Sequence, residues 1–124
     1  MTDRQLSGRD VFKQMVPGAL GERVASLGDA GFADELAELA IEHVFAALWN
    51  RQGLDRRSRS LVTLGILIAL RGSDELKIHF PMALRNGLTV EELEEVVYHS
   101  AGYAGYPAAS HARSVAQHAL GSTH

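Results

Sequence analysis

Three pairs of side chains in this chain stand at a spacing of four residues and could move protons. They are Glu75 with His79, Glu95 with His99, and His99 with Tyr103. On a helix this spacing places both side chains on one face, where a carboxylate can orient an imidazole and raise its basicity. Imidazole is the side chain best matched to proton transfer near neutral pH. Such pairs are also typical of ordinary surface contacts, and the spacing alone leaves both interpretations open.

Three arginines, Arg56, Arg57 and Arg59, precede the most apolar stretch of the chain. Arg56 and Arg59 are three residues apart and can point the same way, which makes them a candidate clamp for a carboxylate. Positive charge in the first turn of a helix opposes the helix dipole, and such local conflicts gather at functional sites. The alternative interpretation is a solvated first helical turn.

The composition disfavours several other classes of function. The chain has no cysteine, which excludes disulfides, thiolate nucleophiles and zinc–thiolate sites. His111 and His118 are seven residues apart without a nearby third ligand, and we expect no metal site. A formal net charge of -3 disfavours nucleic acid or an anionic membrane as partner.

The chain shows neither a membrane span nor a signal peptide in its sequence. Its longest apolar run, residues 61–70, is too short to cross a bilayer, and the N-terminal residues are polar. We therefore expect a cytoplasmic protein that makes no membrane contact.

Helix signals dominate the chain, and no segment shows a sustained period-two alternation, which predicts an all-α fold. The 124 residues fit one domain, a compact bundle of five to six helices spanning residues 1–124. The predicted helices cover about residues 7–16, 34–49, 55–70, 73–86, 90–103 and 107–120.

Turn and cap signals separate these helices. Pro17-Gly18 ends the first helix, and Ser73 is the expected N-cap of the fourth. Asn86-Gly87 is typical of a helix C-terminus, and Thr89 with Glu92 predicts a capping box at the start of the fifth helix.

The third predicted helix is apolar on nearly all sides. Its centre, residues 61–70, should therefore lie in the middle of the domain or in a subunit interface. Small residues are also frequent between residues 101 and 112. Together these features indicate more helix burial than a six-helix monomer supplies, and we expect a homo-oligomer.

Several motifs between about residues 45 and 118 follow one another in a distinctive order. They are Leu48-Trp49-Asn50-Arg51-Gln52-Gly53-Leu54, Arg59-Ser60-Leu61-Val62-Thr63-Leu64, Glu75-Leu76 with His79, Ala83-Leu84-Arg85-Asn86-Gly87-Leu88-Thr89, and His99 with Tyr103-Ala104-Gly105 and Pro107-Ala108-Ala109. In this order the motifs resemble the carboxymuconolactone decarboxylase family. The resemblance implies an alkylhydroperoxidase-like all-α fold, a trimer or hexamer, and no metal or organic cofactor. The peroxidase branch of that fold needs a Cys-x-x-Cys pair, which this chain lacks.

The decarboxylase branch of the family implies a small carboxylate substrate such as 4-carboxymuconolactone. Its enzyme needs a cationic anchor, a donor to the developing oxyanion and an acid that reprotonates carbon. By matching positions, the resemblance implies the following roles: Arg59 with Arg56 as anchor, His79 as acid or oxyanion donor, Glu75 as its orienter, and His99 as second proton carrier with Tyr103 beside it.

One departure from the family pattern keeps two alternatives open. Ala47 stands where decarboxylases of this kind can carry an acidic residue. The first alternative is a family member recruited to isomerisation, dehydration or cyclisation of another substrate. The second is a non-catalytic, ligand-binding oligomer, whose sign would be His79 and His99 buried apart from any shared cavity.

A second, smaller departure is Pro81. A proline in a helix interior removes a hydrogen bond and kinks the helix. We expect either a kinked fourth helix or one that begins later than residue 73.

Overall fold

The computed structural model describes residues 6–16, 18 and 31–121. Throughout these ranges the regular structure is helical and contains no strand, which confirms the predicted all-α class. The elements are α1 (Gly8–Met15), α2 (Leu36–Ala40) with a π-helical continuation (Ile41–Ala46), α3 (Arg56–Leu70), α4 (Ser73–Arg85), α5 (Val90–Ala104) and α6 (Tyr106–Leu120). No helix in the described part of the chain is long and apolar enough to cross a membrane.

The chain divides into two compact units, Met1–Leu54 and Asp55–His124. The family-like motifs fall in both units, and the expectation of a single domain stays a prediction. In the first unit, Ser7 caps α1 by accepting a hydrogen bond from the Asp10 amide at 3.1 Å. The predicted stop at Pro17 lies outside the described residues.

The first unit is held together by α1 packing on the π-helical segment. Gly8 allows this approach, because a Cβ there would lie 2.2 Å from the carbonyl oxygen of Ile41. The ring of Phe45 meets Phe12 edge to face at 5.0 Å and stacks on Trp49 at 6.2 Å. The second predicted helix therefore has the right location, but it is not one continuous α-helix. Hydrophobic periodicity in a sequence does not distinguish an α-helical turn from a π-helical one.

In the second unit, α4 packs against α3 and α6, and α5 packs against the same two helices. The buried core draws on all four helices and on Leu88, which precedes α5. Its members are Leu64, Ile68, Leu76, Phe80, Ala83, Leu88, Leu93, Ala108, Ala112 and Val115. Burial of this apolar surface is the main force that holds the helices together.

One face of α3 is exposed, although the sequence indicated burial on nearly all sides. Ser60, Leu64 and Ile68 are buried, whereas Val62, Ile66 and Leu70 are 54%, 53% and 73% exposed. We expected this helix to lie in the middle of the domain or in a subunit interface. The middle of the domain is wrong for the face formed by Val62, Ile66 and Leu70, which is exposed. The subunit interface stays a prediction.

Several predicted helix ends are confirmed. Thr89 Oγ1 accepts from the Glu92 amide at 3.1 Å, and Glu92 Oε1 accepts from the Thr89 amide at 3.0 Å, which completes the capping box. Asn86 caps the end of α4, and Gly87 follows with φ of 105°.

Two expectations at the start of α4 need correction. Gly72 is the N-cap and Ser73 the first helical residue, because the Ser73 side chain is engaged with His111. The helix does begin at residue 73, so the later start considered for Pro81 is wrong and the proline lies inside α4. Its missing N–H leaves one hydrogen bond of that helix unmade.

Candidate active site

Two open grooves cross the surface of the second unit. The first, which we call the α3–α5 groove, has a volume of about 610 Å³, and its walls include Arg57, Gly65 and His99. The second, the α5–α6 groove, has a volume of about 630 Å³, and Tyr98 and Arg113 are among the residues that line it. Among the six residues that the sequence singles out for the site, His99 lines the first groove and the other five line neither.

An ion pair between Arg57 and Glu92 forms part of the lining of the α3–α5 groove. Nη2 of Arg57 contacts Oε2 of Glu92, and the other carboxylate oxygen of Glu92 accepts the Thr89 amide in the capping box. The side chains of Arg57 and Glu92 are 43% and 40% exposed, so the pair remains accessible to a ligand. The Glu92 carboxylate therefore caps the start of α5 and also lines the α3–α5 groove.

Arg57 lines this groove, although reasoning from the sequence did not single it out for the site. Residues 57, 61 and 65 recur every four positions, which places them on one face of α3, and all three line the groove. Arg56 and Arg59 are half-buried in the first turn and line neither groove. The signal was present in the sequence as a stripe of arginine, leucine and glycine. A spacing argument confined to pairs of arginines could not detect it.

The N-cap of α3 offsets the positive charge of that first turn. The Asp55 carboxylate accepts from the Ser58 amide at 2.7 Å. The pKa of Asp55 lies below its usual value because of the hydrogen bonds from Ser58, with a smaller contribution from the charge of Arg57. The carboxylate therefore stays ionised beside the arginines, where it also favours the helix dipole.

His99 and Tyr103 form the pair that their spacing predicts. Their ring centroids lie 5.1 Å apart at a tilt of 34°. Both side chains are exposed, Tyr103 to 86%. Glu95 lines the α3–α5 groove together with His99, one helical turn before it. A carboxylate, an imidazole and a phenol thus follow one another along one side of α5.

His79 occupies a different environment on α4. Its Nδ1 atom is buried, and burial lowers the pKa of the imidazole from 6.5 to about 4. The ring is therefore neutral at physiological pH. Desolvation of the charged form is the cause, and no carboxylate contributes to the shift.

Glu75 is not drawn toward His79 in this structure. It is exposed, and its Oε1 lies 3.1 Å from the position that a Cβ on Gly72 would occupy. The carboxylate thus folds back toward the start of α4, where a negative charge favours the helix dipole. The structure brings His99 together with Tyr103, and it does not bring Glu75 together with His79.

Ser73 and His111 make a contact that no sequence motif indicated. The hydroxyl oxygen of Ser73 lies 2.7 Å from Nε2 of His111. The Nδ1 atom of His111 is buried and has no hydrogen-bond partner among the described residues. A buried N–H without an acceptor is rarer in proteins than an unused acceptor. We therefore assign the proton to Nε2, which donates to Ser73 and leaves the hydroxyl without a base to activate it.

A metal centre finds no support in the described ranges, where no three His, Cys, Asp or Glu side chains are grouped to hold an ion. His118 instead contacts its own helix, with Nδ1 2.9 Å from the Ser114 carbonyl oxygen.

Comparison with known proteins finds one matching family model and several relatives. A model of the carboxymuconolactone decarboxylase family matches residues 34–118. The 4-carboxymuconolactone decarboxylase of Acinetobacter baylyi is 37% identical over 86 residues, which are 69% of this chain and 64% of that protein. The nitrosuccinic acid decarboxylase npaB of Metarhizium robertsii is 42% identical over 80 residues, which are 64% of this chain and 56% of that protein.

An uncharacterised 15.0 kDa protein of Paracoccus denitrificans is 32% identical over 80 residues, 62% of this chain and 59% of that protein. The matched part of this chain thus spans about six tenths of the length of each of these three relatives.

Proposed function

The chain belongs to the carboxymuconolactone decarboxylase family, and on that premise we propose that it removes carbon dioxide from 4-carboxymuconolactone or a similar small unsaturated carboxy-lactone, without a cofactor. The observation that carries the proposal is the 37% identity to the Acinetobacter baylyi enzyme of that name. The family match over residues 34–118 includes every residue to which we assign a role.

The proposed reaction breaks the bond between the ring carbon and its carboxylate. The electron pair of that bond passes through the unsaturated lactone to the carbonyl oxygen, and carbon dioxide leaves. A proton then adds to carbon and restores the neutral lactone. The protein must hold the carboxylate, donate a hydrogen bond to the oxyanion and deliver the proton.

His79 suits the second of these tasks better than the third. With a pKa of about 4, its imidazole is neutral at pH 7 and carries a single N–H. A neutral imidazole has little tendency to release a proton to carbon, but it can donate a hydrogen bond to an oxyanion inside a desolvated site. Because Nδ1 is buried, we assign the donor to Nε2.

His99 suits the delivery of the proton. It is exposed, it lines the α3–α5 groove, and its ring lies against Tyr103. A solvent-accessible imidazole can be reprotonated from water after each turnover. We propose Tyr103 as a neighbouring contact for the substrate.

The proposed anchor for the substrate carboxylate is Arg59, with Arg56 one turn away. Glu75 is the proposed orienter of His79, a role that requires its carboxylate to rotate away from Gly72. Both assignments rest on the family resemblance. The structure adds that these three residues lie on α3 and α4, two helices that pack against each other.

A second candidate substrate is an electron-poor carboxylic acid that is not a lactone. The observation that favours it is the 42% identity to the Metarhizium robertsii protein named for nitrosuccinic acid. A nitro group, like a conjugated lactone carbonyl, can accept the electron pair that decarboxylation leaves behind. Ala47, the residue that departs from the decarboxylase pattern, is exposed at the end of the π-helical segment.

We also propose that the protein is a homo-oligomer, a trimer or a hexamer. The exposed apolar face of α3, formed by Val62, Ile66 and Leu70, supports this. We propose in addition a cytoplasmic setting, and a part in the breakdown of aromatic acids that the family resemblance implies.

The test is a direct assay of carbon dioxide release from freshly generated 4-carboxymuconolactone, repeated with 2-nitrosuccinate. Turnover of the lactone by wild-type protein supports the first proposal, and turnover of 2-nitrosuccinate alone supports the second. Formation of a new product without carbon dioxide would point to isomerisation, dehydration or cyclisation. Ligand binding without any product would point to a non-catalytic oligomer.

A further inference from the structure

We infer that the α3–α5 groove is where the substrate carboxylate binds and that Gly65 keeps this groove open, so that residue 65 sets the size of the ligand. The chemical class of the ligand, a small carboxylate, rests on the function proposed above. The location of the site rests on the groove itself.

Gly65 lies in the interior of α3, where glycine disfavours the helix relative to alanine. A Cβ added at Gly65 would meet nothing within 4 Å, and the residue does not adopt a positive φ. Neither packing nor backbone conformation therefore requires glycine here. Gly102 shares this lack of contacts, but it lies in the last turn of α5, where a helix is already ending.

The missing side chain of Gly65 leaves space in the groove. Gly65 lines it together with Arg57 and Leu61 on α3, and His99 and Ser100 line it from α5. A side chain at position 65 would extend into open space, because a Cβ there has no neighbour within 4 Å. The absence of one is what a ligand that approaches the helix backbone requires.

The two walls of the groove differ in charge, because α3 contributes Arg57 whereas α5 contributes Glu92 and Glu95. Arg57 contributes a permanent cation, and among the described residues its guanidinium meets one carboxylate oxygen, Oε2 of Glu92, through Nη2. The remaining N–H groups of the guanidinium stay available for a second carboxylate. His99 follows Glu92 by seven residues, which corresponds to about 10 Å along α5.

This arrangement orients a small carboxylate. Its charged group would contact Arg57, in place of the Arg59 and Arg56 anchor that the family resemblance implies, and its other end would point past Gly65 toward His99. Arg56, Arg59 and His79 line neither groove, so a substrate held here does not contact them within one subunit. Glu92 does not oppose this, since Arg57 and the Thr89 amide already hold its two oxygens. Glu95, the other acid of the groove, is exposed to solvent, which screens its charge.

The first experiment compares Gly65→Leu with Gly65→Ala and with Gly102→Leu. We expect Gly65→Leu to lower kcat/KM for 4-carboxymuconolactone by about tenfold or more, mainly through KM, because the leucine fills the groove. Gly65→Ala should raise the Tm by about 2–4 °C and affect kcat/KM far less. Gly102→Leu makes the matched change at a helical glycine outside both grooves and should leave kcat/KM within about twofold.

A second experiment does not depend on turnover. Succinate, an unreactive dicarboxylate, is titrated into the ¹⁵N-labelled protein while amide chemical shifts are followed. We expect shifts at Gly65 and at residues of α5 near His99, and we expect Gly65→Leu to abolish them.

The outcomes separate the two claims. Succinate binding in the groove without lactone turnover would retain the groove and remove the proposed function. The inference about the groove is overturned if succinate shifts amides elsewhere or none at all. Wild-type kcat/KM in a folded Gly65→Leu variant would overturn it as well.

Discussion

The hydroxyl of Ser73 lies 2.7 Å from Nε2 of His111, and this hydrogen bond joins the first residue of α4 to α6. Both residues are half-buried, and Nδ1 of His111 has no hydrogen-bond partner in the ranges described. Among the described residues, the hydrogen bond to Ser73 therefore holds the His111 ring in place. It also explains why Ser73 does not cap its own helix.

Replacing Ser73 with alanine should destabilise the second unit. The change leaves the half-buried imidazole of His111 without its hydroxyl partner, which typically costs about 1–3 kcal/mol in the free energy of unfolding. Urea denaturation at pH 7 measures the difference. Ser114→Ala, an exposed serine on α6, should change stability by less than about 0.5 kcal/mol. Equal stability of the two variants would show that the Ser73 contact contributes nothing.

Replacing His79 tests its proposed role as an oxyanion donor. We expect His79→Ala to lower kcat on 4-carboxymuconolactone by about 100- to 1000-fold, the usual effect of removing one such donor. Circular dichroism should show that the helices persist. His118→Ala removes an imidazole that contacts its own helix and should retain near-normal turnover.

A glutamine at position 79 separates hydrogen bonding from proton transfer. Its amide can donate a hydrogen bond but cannot supply a proton near pH 7. We therefore expect His79→Gln to recover part of the activity that His79→Ala loses. Equally low activity of both variants would favour the alternative, in which His79 delivers the proton.

Burial of His79 predicts that stability falls in mild acid. The pKa of its imidazole is about 4 in the folded protein and 6.5 in a solvent-exposed histidine, so the unfolded chain binds more protons between these values. The part of the free energy of unfolding that depends on a neutral His79 ring is fully present above about pH 6.5. It is lost as the pH falls toward 4, by at most about 3 kcal/mol. Urea denaturation at pH 7 and pH 4.5 measures it.

The matched variant for this pH dependence is His79→Phe, which keeps an aromatic ring but does not titrate. Its stability should change less than that of wild type across the same pH window. A slope identical to that of wild type would assign the acid sensitivity to other groups.

The Glu92 carboxylate takes part in both the capping box and the ion pair with Arg57. We therefore expect two substitutions of Glu92 to lower stability by different amounts. Glu92→Gln retains an oxygen for the Thr89 amide and loses the ion pair with Arg57, which should cost less than about 1 kcal/mol because the pair is partly exposed to solvent. Glu92→Ala loses the capping interaction as well and should cost about 1 kcal/mol more. Thermal unfolding of both variants measures this, and a reversed order would contradict the shared role.

The exposed face of α3 predicts self-association. Size-exclusion chromatography with light scattering should show a trimer or hexamer at micromolar protein concentration. A charge introduced by Ile66→Glu should dissociate it, because a buried unpaired carboxylate opposes association. Ser114→Glu adds the same charge on α6 as a control. A monomeric wild-type protein would contradict the prediction.

Much of the fold follows from local features of the sequence. The all-α class and the limits of α3 to α6 follow from hydrophobic periodicity and from cap residues such as Thr89, Glu92 and Gly87. These signals can be recognised in the sequence because they act between residues at most a few positions apart. The family, too, was identified from motifs in order.

What the sequence by itself determined is therefore the all-α class, the limits of the helices of the second unit to within about one residue, and the family. The tertiary structure alone decided which side chains share a site. The order of residues did not reveal that Arg57, Gly65 and His99 line one groove, or that Ser73 bonds to His111. Those contacts depend on how each helix is rotated about its axis when its apolar face is buried, and that rotation is fixed by packing between residues far apart in the chain.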